Sequence, residues 1–443
     1  MKKLLRLMSA AAVWLLLACT HDPSCDVSPA SAPDPDDHRV TQQAALAELD
    51  AVLAAIDEPA TRGTSPRTVR SVATVKGSDF GRAATRTGEG TSVEELVYIA
   101  NFDDGRGYAI LGADDRLPSV LAVTECGSLT AAEFAAVARG EYDDQEVPQP
   151  FVNVAKGVRM LSDGNLPFVP PVLPPVIKTT YEEFGPWEFI SRVGPFVPVK
   201  WDQEAPYNYY MKGYYMGCVA VAAAQLLTSN YYKYRRTYTP VASINGDNID
   251  WTTIFNAIEN GKITFNANEV TEESKAVSKL IFAVGKYVMT QYGPIGSSGS
   301  FSKVEYVQNL LYSIGFKHIR YTAFDADDVE THLRCFGVPI MVGAKNAAGE
   351  GAHAWLIDGF LKQKATVYTK TFLSDEILST RITYRTLLHA NFGYNGLYDG
   401  YYYSWSFNLQ KGPLEGEEFD KREQSRDEVN YSPVSKALYH TFN

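Results

Sequence analysis

One apolar run in the middle of the chain constrains the fold more than any other feature. It reads MGCVAVAAAQLLTSNYY, and eight of the nine residues that follow Cys218 are apolar. Apolar residues on every side predict a helix that is buried almost all round. Such a helix needs a large core around it, and a chain of 443 residues is long enough for two or three domains.

The composition excludes several classes of protein. Hydrophobic residues make up 45% of the chain and aromatic residues 12%, which argues against a mostly disordered protein. The formal net charge is −11 and no basic cluster occurs beyond the N-terminus, which argues against a nucleic-acid binder. The five cysteines and seven histidines are scattered, without CxxC or HExxH spacing. We therefore expect no metal and no organic cofactor.

The N-terminus predicts export and a lipid anchor. Residues 1–19 begin with basic side chains and continue with an apolar stretch shorter than the roughly 20 residues of a membrane span. This is the pattern of a signal peptide. It ends in Leu-Leu-Ala-Cys, which resembles a bacterial lipobox in which Cys19 would carry the lipid; an ordinary cleavage site is the alternative. Residues 20–40 predict a flexible tether that links the folded chain to the outer membrane or cell surface. Cleavage of the chain would release the catalytic domain from that surface.

Beyond the tether the chain predicts two α+β domains. In residues 41–160, helical spacing over 42–56 precedes three short apolar runs separated by tight turns, which indicate an antiparallel meander. Residues 161–195 are rich in proline and predict an exposed linker that contains the activation cleavage site. Residues 196–443 have a helical first half and a strand-rich second half, which predicts segregated helical and sheet layers.

Four residues in the last domain suggest nucleophilic catalysis. Cys218 lies in the first turn of the buried helix, where the helix dipole favours a thiolate. His353 begins a strand after a glycine-rich loop and could act as a base, and the side-chain oxygen of Asn391 could accept a hydrogen bond from the ring and orient it. Gln203 could donate to an oxyanion. Each residue alone also fits a structural role, but their order and spacing match a papain-like layout.

Four blocks of sequence carry a resemblance to a known family. Together they resemble the streptopain-like C10 family of cysteine peptidases, including its lipoprotein members from Bacteroides-like bacteria. The segment 98–122 also resembles the pro-domain of that family. The four blocks are VGPFVPVKWDQEAPYN (193–208), GCVAVAAAQLL (217–227), GAHAWLIDGF (351–360) and NFGYNGLYDGYY (391–402).

The resemblance implies a papain-like catalytic domain that is made as a zymogen and cleaves proteins or peptides. It implies Cys218 as nucleophile, His353 as general base and acid, Gln203 at the oxyanion hole and Asn391 as the residue that orients His353. It also implies that residues 41–160 inhibit the enzyme until the linker is cut.

Two alternative functions stay open at this point. The family usually has two tryptophans in the last block, where this chain has Phe392 and Tyr394. A surface binding protein on a catalytically degenerate fold is therefore one alternative. An amidase or a transglutaminase is another, because the same side chains serve those reactions. For a peptidase, we expect the glycine-rich loop 292–301 to line the substrate cleft.

Overall fold

The structure is a computed structural model, and it describes residues 38–57, 66–81, 95–142, 146–163, 180–345, 352–371, 374, 376–407 and 436–441. The signal peptide and almost all of the tether lie outside these residues, as does the proline-rich stretch 164–179. Among the described residues, no helix combines the length and the apolar character that crossing a membrane requires.

Eight helices occur in the described part of the chain. They are α1 (Gln42–Ile56), α2 (Ala131–Arg139), α3 (Gln149–Ser162), α4 (Cys218–Lys233), α5 (Trp251–Glu259), α6 (Glu272–Tyr287), α7 (Val304–Ser313) and α8 (Ala326–Phe336). Threonine side chains cap the first two: the hydroxyl of Thr41 accepts a hydrogen bond from the N–H of Ala44, and Thr130 forms a capping box with Glu133. The predicted helix over 42–56 coincides with α1.

Fourteen strands occur in the same residues. They are β1 (Val69–Lys76), β2 (Glu95–Phe102), β3 (Tyr108–Gly112), β4 (Val120–Thr124), β5 (Thr180–Phe184), β6 (Glu188–Val193), β7 (Ser243–Ile244), β8 (Asp247–Asn248), β9 (Lys317–Ala323), β10 (Ile340–Lys345), β11 (Ala352–Thr371), β12 (Ile377–Asn391), β13 (Gly400–Tyr403) and β14 (Lys436–Thr441). The meander predicted from the three apolar runs is β2–β3–β4.

Twelve of these strands form one antiparallel sheet. Its main order is β1-β2-β3-β4-β13-β12-β11-β10-β14-β9, and β5 and β6 pair with β11. The predicted pro-domain and catalytic domain meet where β4 pairs with β13, with Val123 opposite Tyr401. The α+β class is confirmed, whereas the domain boundaries stay a prediction because one sheet crosses from residues 41–160 into the rest of the chain.

The C-terminal part of the predicted linker forms β-strands instead of an exposed linker. Residues 180–184 and 188–193 form β5 and β6, which lie against the long strand β11. Neither strand contains a proline, so each can donate all of its backbone N–H groups, and Pro186 lies in the turn between them. The expected cleavage site falls partly in 164–179, outside the described residues.

Helix α4 lies against the sheet and is buried along nearly its whole length. Every side chain from Cys218 to Tyr231 is buried, in a core shared with α5, α6 and α7. A second core fills the space between the sheet and helices α2 and α3, and it includes Trp355, Phe392 and Tyr402. The first residues of α4 therefore face the beginning of β11.

Candidate active site

Cys218 is the first residue of α4, and a glycine sets the path of the chain into it. Gly217 has φ +87°, a conformation that a side chain would strain. A Cβ atom at this position would also lie 3.2 Å from Thr290 Cγ2 and 3.3 Å from Ser300 Cβ. This close packing places Ser300 of the glycine-rich loop 292–301 beside Gly217; that the loop lines a substrate cleft stays a prediction.

The surroundings of Cys218 favour the protonated thiol, contrary to the expectation from the helix dipole. Burial raises the pKa of Cys218, and hydrogen bonds from the backbone N–H groups of Ala354, Val219 and Cys218 itself lower it only in part. The N–H that reaches the sulfur belongs to Ala354, the residue after His353 in β11. That Cys218 and His353 form a dyad stays a prediction.

His353 is held by its two ring nitrogens. Nε2 lies 3.0 Å from the carbonyl oxygen of Phe392, and since a carbonyl can only accept, Nε2 carries the proton. Nδ1 then accepts a hydrogen bond from the hydroxyl of Tyr394 at 3.3 Å. The two rings are stacked, with centroids 4.9 Å apart. Burial lowers the pKa of His353 to about 4, so the ring is neutral near pH 7.

The side chain of Asn391 points to other partners. Its Nδ2 donates to the carbonyl of Val199 at 2.8 Å, and its Oδ1 accepts from Nε2 of Gln225 at 2.9 Å. The orienting contact that we expected from Asn391 is made instead by the main chain of the next residue, Phe392. Asn391 influences His353 through that peptide, not through a direct hydrogen bond.

Gln203 is buried and lies beside the entry to α4. Its carbonyl oxygen accepts a hydrogen bond from the N–H of Met216, two residues before Cys218, at 3.0 Å. The side-chain donation to an oxyanion stays a prediction.

Two further residues support the site; both lie inside the family blocks, but the sequence analysis gave them no role. Gln225 accepts from the N–H of Trp201 at 3.0 Å while it donates to Asn391, so it ties α4 to both flanking segments. Its signal in the sequence is that it is the one polar residue between Val219 and Leu227. Asp399 accepts from the N–H of Phe392 at 2.8 Å, and the carbonyl of that same residue contacts His353.

Comparison with known proteins agrees with this geometry. A family model described as the peptidase C10 family matches residues 201–402. The chain is also 23% identical over 326 residues to streptopain of Streptococcus pyogenes serotype M28, covering 69% of this chain and 73% of that protein. Over residues 201–402 the chain is thus similar to the peptidase C10 family. It is therefore a cysteine endopeptidase, as the four sequence blocks predicted.

Two solved structures from Prevotella intermedia are similar in part. A fragment of prointerpain A shares 19% identity with a TM-score of 0.47, covering 83% of this chain and 98% of that one. Active interpain A shares 21% identity with a TM-score of 0.37, covering 56% and 95%.

Proposed function

We propose that this C10 peptidase uses Cys218 and His353 as a catalytic dyad and is made as a zymogen. The observation that carries the dyad is the hydrogen bond from the N–H of Ala354 to the Cys218 sulfur, which joins the start of β11 to the start of α4. The thiol attacks a peptide carbonyl while His353 takes its proton and then delivers it to the leaving amine. Water then hydrolyses the acyl-enzyme.

The acid–base atom in this mechanism is Nδ1 of His353. Nε2 is committed to the carbonyl of Phe392, so Nδ1 is the atom left to exchange a proton with Cys218. The backbone N–H of Cys218 and the side-chain amide of Gln203 would stabilise the oxyanion. The Tyr394 hydroxyl donates a hydrogen bond to Nδ1 of His353. That hydrogen bond has to break before Nδ1 can take the proton of the thiol.

The inhibitory role of residues 41–160 is supported by the ionic contacts beside β13. One carboxylate oxygen of Glu125 lies 3.1 Å from Nε2 of His389, and the other lies 2.5 Å from Nζ of Lys200. A carboxylate oxygen of Asp358 lies 2.6 Å from Nδ1 of His389. Burial alone would lower the pKa of His389, but the two carboxylates raise it to about 10. A buried cation thus depends in part on Glu125, which belongs to the segment that activation would remove.

The dyad is tested with the uncleaved chain and two variants, Cys218→Ala and Cys335→Ala. Cys335 is exposed on α8 and serves as the matched control. We expect the wild type and Cys335→Ala to shorten themselves and digest casein, and Cys218→Ala to do neither. Casein digestion by Cys218→Ala would refute the dyad.

A second assay separates the alternative functions. If no chain digests casein, the wild type is nicked with trypsin and treated with a labelled epoxide that reacts with activated thiols. Labelling at Cys218 together with amine incorporation would indicate a transglutaminase, and labelling with release of cell-wall peptides an amidase. Absence of label would favour the degenerate binding protein.

We further propose that Cys19 is lipidated and anchors the protein at the outer membrane or cell surface. The support is the Leu-Leu-Ala-Cys sequence after a signal-peptide pattern. The test is metabolic labelling with a tagged fatty acid in an expressing bacterium. Wild type should be labelled and sediment with membranes, Cys25→Ala should behave like wild type, and Cys19→Ala should not. Equal label in Cys19→Ala would contradict the anchor.

A further inference from the structure

The connection between β12 and β13, residues 392–399, carries two contacts to His353. The carbonyl oxygen of Phe392 accepts a hydrogen bond from Nε2 of His353, and the ring of Tyr394 stacks on the imidazole. The last residue of the connection closes it, because Oδ1 of Asp399 accepts a hydrogen bond from the N–H of Phe392 at 2.8 Å. Asp399 is thus joined to His353 through a single residue.

The carboxyl group of Asp399 is fully buried, with an exposed fraction of 0%. Its second oxygen, Oδ2, makes no hydrogen bond within the described part of the chain. Burial raises the pKa of Asp399 to about 7, so the group changes charge close to neutral pH. The ionised form accepts a stronger hydrogen bond from Phe392 than the neutral form does.

Among the described residues, three charged side chains act on this carboxyl group. The cations of Lys200 and His389 favour its ionised form, whereas the carboxylate of Glu125 opposes it. Two further titratable side chains interact with it, Cys126 and Tyr402, and burial raises the pKa of both, so they are neutral near pH 7. The charge of the group near pH 7 therefore depends on the balance between the two cations and the one anion.

Glu125 contacts both Asp399 and its nearby cation Lys200. The N–H of Glu125 donates to the main-chain carbonyl of Asp399 at 2.9 Å, and its carboxylate lies 2.5 Å from Nζ of Lys200. Glu125 belongs to residues 41–160, the segment that activation would remove. Its removal takes a negative charge away from Asp399 and leaves the ammonium group of Lys200 without this carboxylate. Both changes favour the ionised form of Asp399.

We propose that Asp399 is a positioning residue for His353 and that Lys200 and Glu125 set its charge. In the uncleaved chain Glu125 competes for Lys200, which favours the neutral carboxyl group and weakens its hold on the connection. After cleavage Lys200 becomes the counter-ion of Asp399, and the carboxylate orients His353 more firmly. The effect on catalysis rests on the proposed dyad, and the change on cleavage rests on the proposed zymogen.

The first test follows the ring signals of His353 by NMR in the uncleaved Cys218→Ala chain, so it requires no enzyme activity. The ring itself has a pKa of about 4. We expect a separate step near pH 7, where Asp399 changes charge, and loss of that step in Asp399→Asn. The same spectra report whether the variant folds. Signals that stay flat between pH 6 and 8, or a step that persists in Asp399→Asn, would overturn the proposal.

Two variants should move this step in opposite directions. Lys200→Met removes a cation, so the step should move to higher pH by about one unit, whereas Glu125→Gln removes the anion and should move it to lower pH. A merely structural role predicts no such pair of shifts. Glu330→Gln is the control, because Glu330 is a buried carboxylate paired with Lys362 and Arg334, and it should leave the step in place. Shifts in the same direction, or none, would contradict the proposed control of the charge.

Activity on labelled casein tests the link to catalysis. Asp399→Asn should lower kcat about tenfold and leave KM nearly unchanged, because the buried side chain acts through His353 and touches no substrate. Glu330→Gln should keep the kcat of the wild type. An Asp399→Asn variant as active as the wild type would refute the positioning role. An inactive wild type would count against the proposed dyad instead, and the NMR step would then decide the role of Asp399.

Discussion

At the scale of single residues, the active site depends on a main-chain carbonyl that no substitution can remove. Phe392 contributes this carbonyl to His353, while the side chain of Asn391 is used by Gln225 and Val199. Asp399 accepts a hydrogen bond from the N–H of the same residue, Phe392. The ring of His353 is therefore oriented by a short loop, and the tautomer with the proton on Nε2 follows from that geometry.

Replacing Tyr394 with Phe tests the competing bond on Nδ1. A hydrogen bond donated to Nδ1 favours the neutral ring, so Tyr394→Phe should raise the pKa of His353 by about one unit. The stacked ring remains in the variant. The measurement is an NMR titration of the histidine rings in the uncleaved Cys218→Ala chain, with Tyr398→Phe as a nearby control. An unchanged His353 pKa in Tyr394→Phe would show that the hydroxyl does not control the base.

At the scale of elements, the proposed peptidase reaction depends most on the start of α4, because Cys218 is the first residue of that helix. The helix is buried all round, so its position is set by packing, whereas the direction of the chain entering it is set by Gly217. The glycine-rich loop 292–301 packs beside this point through Ser300, whose hydroxyl donates to the carbonyl of Tyr215 at 2.6 Å.

Two glycine substitutions separate strain from crowding at this element. Gly213 and Gly217 have φ +85° and +87°, so alanine at either should cost about 1–3 kcal/mol of stability. A Cβ at Gly213 meets nothing within 4 Å, whereas one at Gly217 meets Thr290 and Ser300. We therefore expect only Gly217→Ala to change the alkylation rate of Cys218 by iodoacetamide. Urea unfolding and the alkylation rate measure the two effects, and equal rates in both variants would contradict this assignment.

At the scale of the whole molecule, one sheet joins the two ends of the described chain. The pairing of β4 with β13 extends the sheet from residues 41–160 to the strands that carry His353. The hydrogen bond from the side chain of Asn153 to the carbonyl of Ser406, at 2.6 Å, adds a second contact between them. Removal of residues 41–160 would therefore expose an edge of the sheet close to the active site.

Glu125→Gln tests the charged contact in this junction. The variant leaves the His389 cation with Asp358 alone, so the uncleaved chain should lose about 2 kcal/mol of stability and process itself faster. Glu141→Gln is the control, because Glu141 pairs with Arg139 on the surface, where such pairs contribute little. Urea unfolding in the Cys218→Ala background gives the stability difference. Equal losses in the two variants would argue against a role for Glu125 in holding the segment.

The buried histidines predict how the stability of the precursor varies with pH. Burial lowers the pKa of His353 and His332 to about 4 and that of His440 to about 3, against about 6.5 when unfolded. Between pH 6.5 and 4 only the unfolded chain binds these protons, so stability falls as the pH falls. His389 has a raised pKa of about 10, so its contribution is complete below pH 6.5 and is lost as the pH rises towards 10.

Urea midpoints from pH 4.5 to 9.5 check this dependence. We expect a maximum near pH 6.5, a smaller acid loss in His440→Gln and a smaller alkaline loss in His389→Gln. Midpoints that stay flat over this range would contradict the assignment of three neutral histidines and one charged one.

By itself the sequence determined the buried helix α4 and the resemblance to the C10 peptidases, and it predicts Cys218 and His353 as nucleophile and base. These depend on local pattern: an apolar run that must be buried, a glycine before Cys218, and four blocks with their spacing. The helix α1 and the meander β2–β3–β4 followed for the same reason, because hydrophobic periodicity and turn residues act over a few positions.

Only the tertiary structure decided how those residues are used. Burial by distant segments raises the pKa of Cys218 and outweighs the local helix dipole. The partner of His353 is a carbonyl, and a carbonyl has no sequence signature. The strands β5 and β6 form because β11 offers them a long edge, and the pairing of β4 with β13 joins residues far apart in the chain. Long-range contacts of this kind depend on the whole chain, so no short pattern encodes them.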